Sequence, residues 1–181
     1  MHAAEFDENL ILRIGEGDGD AFRELYQQTQ SAVYGFALSI LRNRQDAEDV
    51  MHDTYIRAYQ GAVSYTPRGK PMAWIMTIVK NLCYNRLKSG KVCEDIDQYE
   101  HIATVDGSEN ALNRIALEKA LQMLSFEERQ IVILHALTGM KHREIAEMLD
   151  MPTGTVLSKY NRAIRKVSDE LRSVEGKEEL R

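Results

Sequence analysis

The chain has 181 residues, a formal net charge of −5 and 44% hydrophobic residues, which is enough apolar material for one folded core or two small ones. No apolar run is long enough to span a membrane, and the N-terminal residues carry acids where a secretory signal carries bases, so we expect a cytoplasmic protein without membrane insertion. Cys83, Cys93 and the five histidines match no zinc, redox or HExxH spacing, and no glycine-rich phosphate loop occurs. We therefore expect no cofactor, no metal and no enzymatic activity.

Charge is arranged in blocks along the chain. Residues 1–53 hold eleven acids against four bases, whereas residues 54–93 hold seven bases and no acid. Residues 94–113 are acidic again, and residues 151–167 hold four bases and no acid. Two basic blocks in an acidic chain predict two separate anion-binding surfaces, with a pair of solvated helix faces as the alternative.

Apolar residues at three- and four-residue spacing predict helices along the first half of the chain. The pattern begins at Leu10, is interrupted by glycines, and resumes at Phe22 with Asp20 as the expected helix cap. Further helices are predicted at 33–41, 46–59 and 72–88, with a loop over 61–71.

The second half of the chain is also predicted to be helical. Residues 89–110 are polar, acidic and aperiodic, which is typical of a linker. A helix is expected over 111–124, and Ser125 with Glu128 has the capping-box spacing that begins another. Since no segment has convincing strand periodicity, the predicted fold class is all-α, with two small helical domains.

Residues 142–167 have the form of a helix-turn-helix. Ala146 is small enough for a close helix crossing, where Ile145 and Leu149 are expected to meet Val156 and Ile164. An ordinary pair of packed helices with charged outer faces is the alternative, but the bases on the second helix favour DNA. The side chains expected to contact bases or phosphates are Ser158, Lys159, Asn161, Arg162, Arg165 and Lys166, with Lys141 and Arg143 on the first helix.

Two further stretches indicate a family. These are DAEDVMHDTYIRAY and PMAWIMTIVKNLCYNRLK, which occur with GDGDAFRELY before them and EIAEML, PTGTV and RA after them. In this order they resemble the extracytoplasmic-function sigma factors of bacterial RNA polymerase, over residues 8–172. The resemblance implies a region 2-like domain at 1–90, a flexible acidic linker at 91–111, a region 4-like helix-turn-helix domain at 112–174 and a tail at 175–181.

The resemblance also implies roles for individual residues. The DAED helix is expected to bind core RNA polymerase through Asp46, Glu48, Asp49, Val50, His52, Asp53 and Tyr55, with His52 standing where the family usually has glutamine. The next helix and its preceding loop are expected to melt and read the −10 element through Tyr65, Arg68, Lys70, Lys80, Asn81, Asn85 and Arg86. These supply the cations and amides that an unpaired strand needs. Trp74 could stack on a base, but core packing is favoured.

The C-terminal domain is expected to bind the −35 element as duplex, with Thr155 added to the contacts named above. The sequence departs from the family pattern at three places: Ser125 directly follows Leu124 where Leu-Pro is common, Leu157 replaces a basic residue, and Lys159 replaces arginine.

The function implied is promoter-specific transcription initiation as a partner of core polymerase, with −10 melting and −35 recognition, under an anti-sigma factor. Two other hypotheses stay open at this point. An autonomous helix-turn-helix regulator would leave the acid-free block and the DAED helix without a role. An enzyme or metal protein has no supporting motif.

Overall fold

A computed structural model describes residues 6–90 and 119–178 of the chain, with side chains as far as Arg172. The predicted all-α class with two helical domains is confirmed, and no β-strand occurs in these ranges. The predicted linker at 91–111 falls outside the described residues. The helices are α1 Asn9–Gly15, α2 Gly19–Leu41, α3 Arg44–Ala62, α4 Pro71–Lys88, α5 Phe126–Thr138, α6 His142–Leu149 and α7 Thr153–Glu178.

The N-terminal domain consists of α1 to α4, and local capping fixes where its long helices begin. Asp18, and not the predicted Asp20, caps α2 by accepting hydrogen bonds from two backbone N–H groups of the first turn. The Asn43 side chain caps α3 in the same way by accepting from Asp46 N. Helix α2 is continuous over 23 residues, and Thr29, in its middle, is buried with its hydroxyl bonded to Leu25 O and to the Tyr55 hydroxyl.

The C-terminal domain consists of α5 to α7. The predicted capping box is present at the start of α5, where the Ser125 and Glu128 side chains each bond the other's backbone N–H. Ala146 is buried at the crossing of α6 and α7 together with Ile145 and Val156, as the helix-turn-helix pattern predicts. The prediction that Ile164 joins them is wrong.

Ile164 is 40% exposed, and Ala163 takes the interior place on α7. The reason is helical periodicity: Val156 and Ala163 are seven residues, or two turns, apart and therefore share a face. Tyr160 lies one turn after Val156 and packs its ring against the rings of His135 and His142.

The two domains pack against each other and share one hydrophobic core. Helix α5 crosses α2 so closely at Gly35 that a Cβ there would stand 2.7 Å from a methyl group of Leu137. Arg129 of α5 is buried, and its guanidinium donates to Leu121 O and Leu124 O in its own domain and to Ser39 O of α2. None of the described helices combines the length and apolar character that crossing a membrane requires.

Candidate nucleic-acid and partner interfaces

An open cavity of about 720 Å³ lies where the loop before α4 meets α3, α4 and α6. Pro71 begins α4 at a position where its missing N–H costs nothing, and the loop before it brings Tyr65, Arg68 and Lys70 to the cavity. Asn81 reaches the same cavity from α4, about two turns beyond Trp74. Four of the seven residues that the sequence predicted for −10 recognition are thus brought together.

Two aromatic rings form one wall of this cavity. Trp74 and Tyr65 meet edge to face, with ring centroids 4.9 Å apart. Trp74 is half-buried and lies against Gly61, where an added Cβ would stand 3.3 Å from the indole ring. Trp74 therefore packs against the domain and lines the cavity at once. Sequence reasoning did not predict that Arg57 would also line the cavity.

Helix α6 of the C-terminal domain covers part of the same cavity. The Lys70 ammonium pairs with the Glu147 carboxylate at 2.7 Å, and the Lys80 ammonium donates to the backbone oxygen of Met148. The hydrogen bond from Lys70 lowers the pKa of Glu147. Glu144 stands on the cavity wall one turn before Met148. Acidic groups of one domain thus occupy space beside the basic groups of the other.

The remaining residues predicted for −10 recognition lie elsewhere. Asn85 is exposed on α4 and does not line the cavity. Arg86 pairs with Asp46 at 2.5 Å and with Asp49 at 2.7 Å, so its guanidinium belongs to the contact between α4 and α3. Burial alone would lower the pKa of Arg86, but the hydrogen bonds and charges of Asp49 and Asp46 raise it above its usual value.

The residues predicted to bind core polymerase divide into a surface set and a buried set. Asp46, Val50 and Tyr55 are buried because they lie on the inner face of α3. Burial raises the pKa of the Tyr55 hydroxyl, which bonds Thr29. The exposed members are Glu48, Asp49, His52 and Asp53.

An apolar stripe continues from this acidic surface along α3. Ile56 is 56% exposed, Tyr59 is 48% exposed and Val63, just after the helix, is 78% exposed. Their spacing of three and four residues is that of one helix face. Sequence periodicity predicted apolar residues here but did not show that they face solvent. Exposed apolar residues that lie together on one helix face are typical of a protein-binding surface.

Helix α7 carries the second basic surface. Ser158, Asn161, Arg162 and Arg165 are exposed on it, and Thr155 is half-buried at its start. The flanking cations have partners within the domain, since Lys159 pairs with Glu127 at 2.6 Å and Lys166 pairs with the buried Glu128 at 2.8 Å. Lys141 and Arg143, at the start of α6, are exposed.

Two family profiles match the chain: Sigma-70 region 2 over residues 25–92 and Sigma-70 region 4 over residues 114–167. Among similar curated proteins, the ECF RNA polymerase sigma factor SigK of Mycobacterium sp. strain KMS is 27% identical over 165 residues, covering 86% of each chain. The ECF RNA polymerase sigma-E factor of Haemophilus influenzae is 28% identical over 180 residues, covering 91% of this chain and 95% of that one.

Solved structures of two proteins are also similar to this chain. The sigma factor RpoE of Bartonella quintana, solved in complex with the anti-sigma factor NepR, is 27% identical with a TM-score of 0.66, covering 83% of this chain and 96% of that one. The fold also matches CnrH, solved in complex with the cytosolic domain of CnrY, at 22% identity and a TM-score of 0.64, covering 92% and 97%. The two profile matches together span well over half of the chain and follow the order of its two domains. The chain therefore belongs to the sigma-70 family and is an extracytoplasmic-function sigma factor, a protein that directs promoter-specific transcription initiation.

Proposed function

We propose that three surfaces of the chain have separate binding roles in transcription initiation. The exposed face of α3 binds core RNA polymerase, the cavity before α4 receives an unpaired base of the −10 element, and the outer face of α7 binds the −35 element as duplex. The observation that carries the proposal is the cavity, which combines two aromatic rings, three cations and two amides on one side of the N-terminal domain. In this account the chain is a binding subunit without a reaction of its own, and it works in the cytoplasm beside polymerase.

The contents of the cavity suit a single strand better than a duplex. A base removed from its stack can lie against an aromatic ring, which contributes about 1–3 kcal/mol per base. Arg68 and Lys70 supply charge for the phosphates on either side, and the Asn81 amide can both donate to and accept from a base edge. A duplex would need a groove-filling helix, which this wall does not present.

Asn81 and Asn85 provide a matched test of this assignment. Asn81 lines the cavity, whereas Asn85 is exposed one turn further along α4. We expect Asn81→Ala to slow promoter melting by about fivefold or more, because a lost hydrogen bond contributes about 1 kcal/mol. Asn85→Ala serves as the control and should melt the promoter at the wild-type rate. Equal effects of the two changes would contradict the assignment of the cavity.

The α3 surface is tested by charge reversal at Asp53, which is exposed and forms no ion pair within the described residues. Asp53→Lys should weaken binding to core polymerase, since it places a cation beside the apolar stripe in an acidic interface. Glu16→Lys changes the same charge at an exposed site outside α3 and should leave the affinity unchanged. If both variants bind core polymerase like the wild type, this face is not the docking surface.

Arg162 is the test residue on α7, where it is exposed beside Asn161 and lies 3.9 Å from the carboxylate of Glu128. If Arg162 makes a bidentate contact to a guanine, Arg162→Ala should cost about 1–3 kcal/mol and relax the preference at one base pair. If it contacts phosphate, the loss should be uniform across sequences, with a shallower salt dependence. Wild-type affinity and preference in Arg162→Ala would remove Arg162 from the interface.

We further propose that an anti-sigma protein restrains this chain, as its relative RpoE was solved in complex with an anti-sigma factor. An inhibitor that covers the exposed acids and apolar stripe of α3 would exclude core polymerase by occupying its docking site. The expected result is capture of a partner from source cells whose addition stops transcription by the purified chain with core polymerase. Activity that follows only the amount of the chain, with no such partner captured, would place control in synthesis or turnover.

A further inference from the structure

The loop that lines the cavity is held by hydrogen bonds to Glu8, a residue from a distant part of the chain. The carboxylate of Glu8 accepts a hydrogen bond of 2.5 Å from the Tyr65 hydroxyl and one of 2.9 Å from the backbone N–H of Arg68. The backbone N–H of Gly69 donates to both carboxylate oxygens, at 3.1 and 3.2 Å. One half-buried side chain thus joins the start of α1 to the side chain and backbone of a loop about sixty residues later.

The position of Glu8 in its own helix does not explain this arrangement. Glu8 is the N-cap residue of α1, where an acidic side chain normally bonds the first free N–H groups of the helix. Its side chain makes no capping bond and points to the loop instead. Asp7 bonds Asn9 locally and does not reach the loop, which makes it a neighbouring acid with a different role.

The loop has a conformation that needs such a fastening. Gly69 has a φ of +66°, a left-handed conformation that glycine adopts easily, and this turn is what aims two successive N–H groups at one carboxylate. Ordering each loop residue costs about 1–2 kcal/mol of conformational entropy, so the cluster of hydrogen bonds must offset part of that cost. The hydrogen bonds from Tyr65 and from the backbone of Arg68 lower the pKa of Glu8, because they favour its ionised form.

The same bonds fix the cavity wall. With its hydroxyl bonded to Glu8, the Tyr65 ring is held against Trp74. With their backbone N–H groups bonded, Arg68 and Gly69 set where the neighbouring Lys70 enters the cavity. A carboxylate beside these cations repels phosphate, so Glu8 is unfavourable as a device for affinity. Its contribution must come from the geometry that it imposes.

We propose that Glu8 is a positioning residue for −10 recognition, which holds the loop bearing Tyr65, Arg68 and Lys70 in the conformation that discriminates among bases. This inference rests on the proposed role of the cavity. It predicts that loss of Glu8 reduces the preference for the correct −10 sequence. The affinity for DNA of any sequence should stay the same or increase.

The test is initiation by full-length chain with core polymerase on a template pool randomised over the −10 element, read out as the distribution of productive sequences. We expect Glu8→Ala to lower discrimination between the preferred base and the others by about tenfold at the affected position, the equivalent of one or two hydrogen bonds. Glu8→Gln, whose amide oxygen can still accept, should recover part of it. Asp7→Asn is the control and should match the wild type.

A double-mutant cycle with Tyr65→Phe shows whether Glu8 acts through the loop. Because Tyr65→Phe removes the hydroxyl that Glu8 accepts from, Glu8→Ala should have a smaller effect in that background. Helical content, melting temperature and affinity for core polymerase are measured for every variant, and Glu8→Gln keeps the test open if Glu8→Ala does not fold.

Unchanged base preference in Glu8→Ala and Glu8→Gln, or an equal loss on every template, would overturn the inference. A wild-type chain that shows no −10 preference at all would instead contradict the proposed function of the cavity. The two failures are therefore distinguishable in one experiment.

Discussion

Arg86, which the sequence predicts for −10 recognition, forms two ion pairs with α3. Its guanidinium lies between Asp46, whose side chain is 7% exposed, and Asp49. Arg86→Ala would leave the Asp46 carboxylate buried without its cation, which should lower the free energy of unfolding by about 3 kcal/mol. Chemical denaturation measures this directly. Wild-type stability combined with a specific loss of −10 binding would return Arg86 to the DNA surface.

His142 makes stability depend on pH. Its ring stacks on His135 with centroids 4.8 Å apart, and Tyr160 packs edge-on against both rings. Burial, and then the charge of His135, lower the pKa of His142 from its usual 6.5. Since the folded state prefers the neutral ring, its stabilising contribution is present above pH 6.5 and is lost as pH falls through the lowered pKa.

Over the window just below pH 6.5, the melting temperature should therefore fall as pH falls, and it should fall less in His142→Gln. The carboxylates with shifted pKa values, such as Glu8, Glu128 and Glu147, are all lowered and titrate below this window. If the melting temperatures of wild type and His142→Gln change equally with pH across the window, the role of His142 is contradicted.

At the scale of elements, the contact between α1 and α3 depends on a glycine. A Cβ on Gly15 would stand 2.7 Å from the carbonyl oxygen of Ala62, and that backbone atom cannot move aside cheaply. Gly15→Ala should therefore destabilise the chain by about 1–3 kcal/mol despite the better helix propensity of alanine. Gly19→Ala, with no atom within 4 Å of its new Cβ, is the control and should be neutral or slightly stabilising. Equal melting temperatures for the two variants would show that α1 shifts to accommodate the methyl group.

Local signals predicted the elements better than the contacts between them. The capping box of Ser125 and Glu128 was predicted correctly because both partners lie within one helical turn. The cap of α2 was assigned to Asp20 and not Asp18, since two acids two residues apart offer the same chemistry. The prediction placed Ile164 inside because of its apolar character, although the helical register buries Ala163, which packs with Leu121 and Leu124.

Only some of the residues that line the candidate cavity could be predicted from the sequence. The resemblance to sigma factors pointed to Tyr65, Arg68, Lys70 and Asn81, which the structure brings together. The partners that the fold gives to Arg86 and the role of Glu8 depend on contacts across tens of residues. Nothing in the spacing of a single sequence encodes those contacts.

In the whole molecule, the packing of α6 onto the cavity engages two cations of the proposed −10 surface. Lys70 is bonded to Glu147 and Lys80 to Met148 O. If the proposal is right, phosphates of the −10 strand would have to compete with these bonds. Glu147→Lys should loosen this contact and raise the affinity of the free chain for single-stranded DNA. Fluorescence anisotropy with a labelled oligonucleotide measures the change.

The control for that prediction is Asp169→Lys, which makes the same change in charge at an exposed site that does not line the cavity. Part of any gain comes from net charge alone, and this control reports it. If the two variants gain equally, α6 does not obstruct the cavity in solution.

We propose that this chain gives core polymerase its promoter specificity through two DNA surfaces on two domains. The most direct measurement is run-off transcription with core RNA polymerase and the purified chain on fragments of the source genome, with every start site mapped. We predict a discrete set of starts that share a −10 and a −35 element at constant spacing and that vanish when the chain is omitted. Initiation no more selective than that of core polymerase alone, with a core preparation proved active by another sigma factor, would contradict the account.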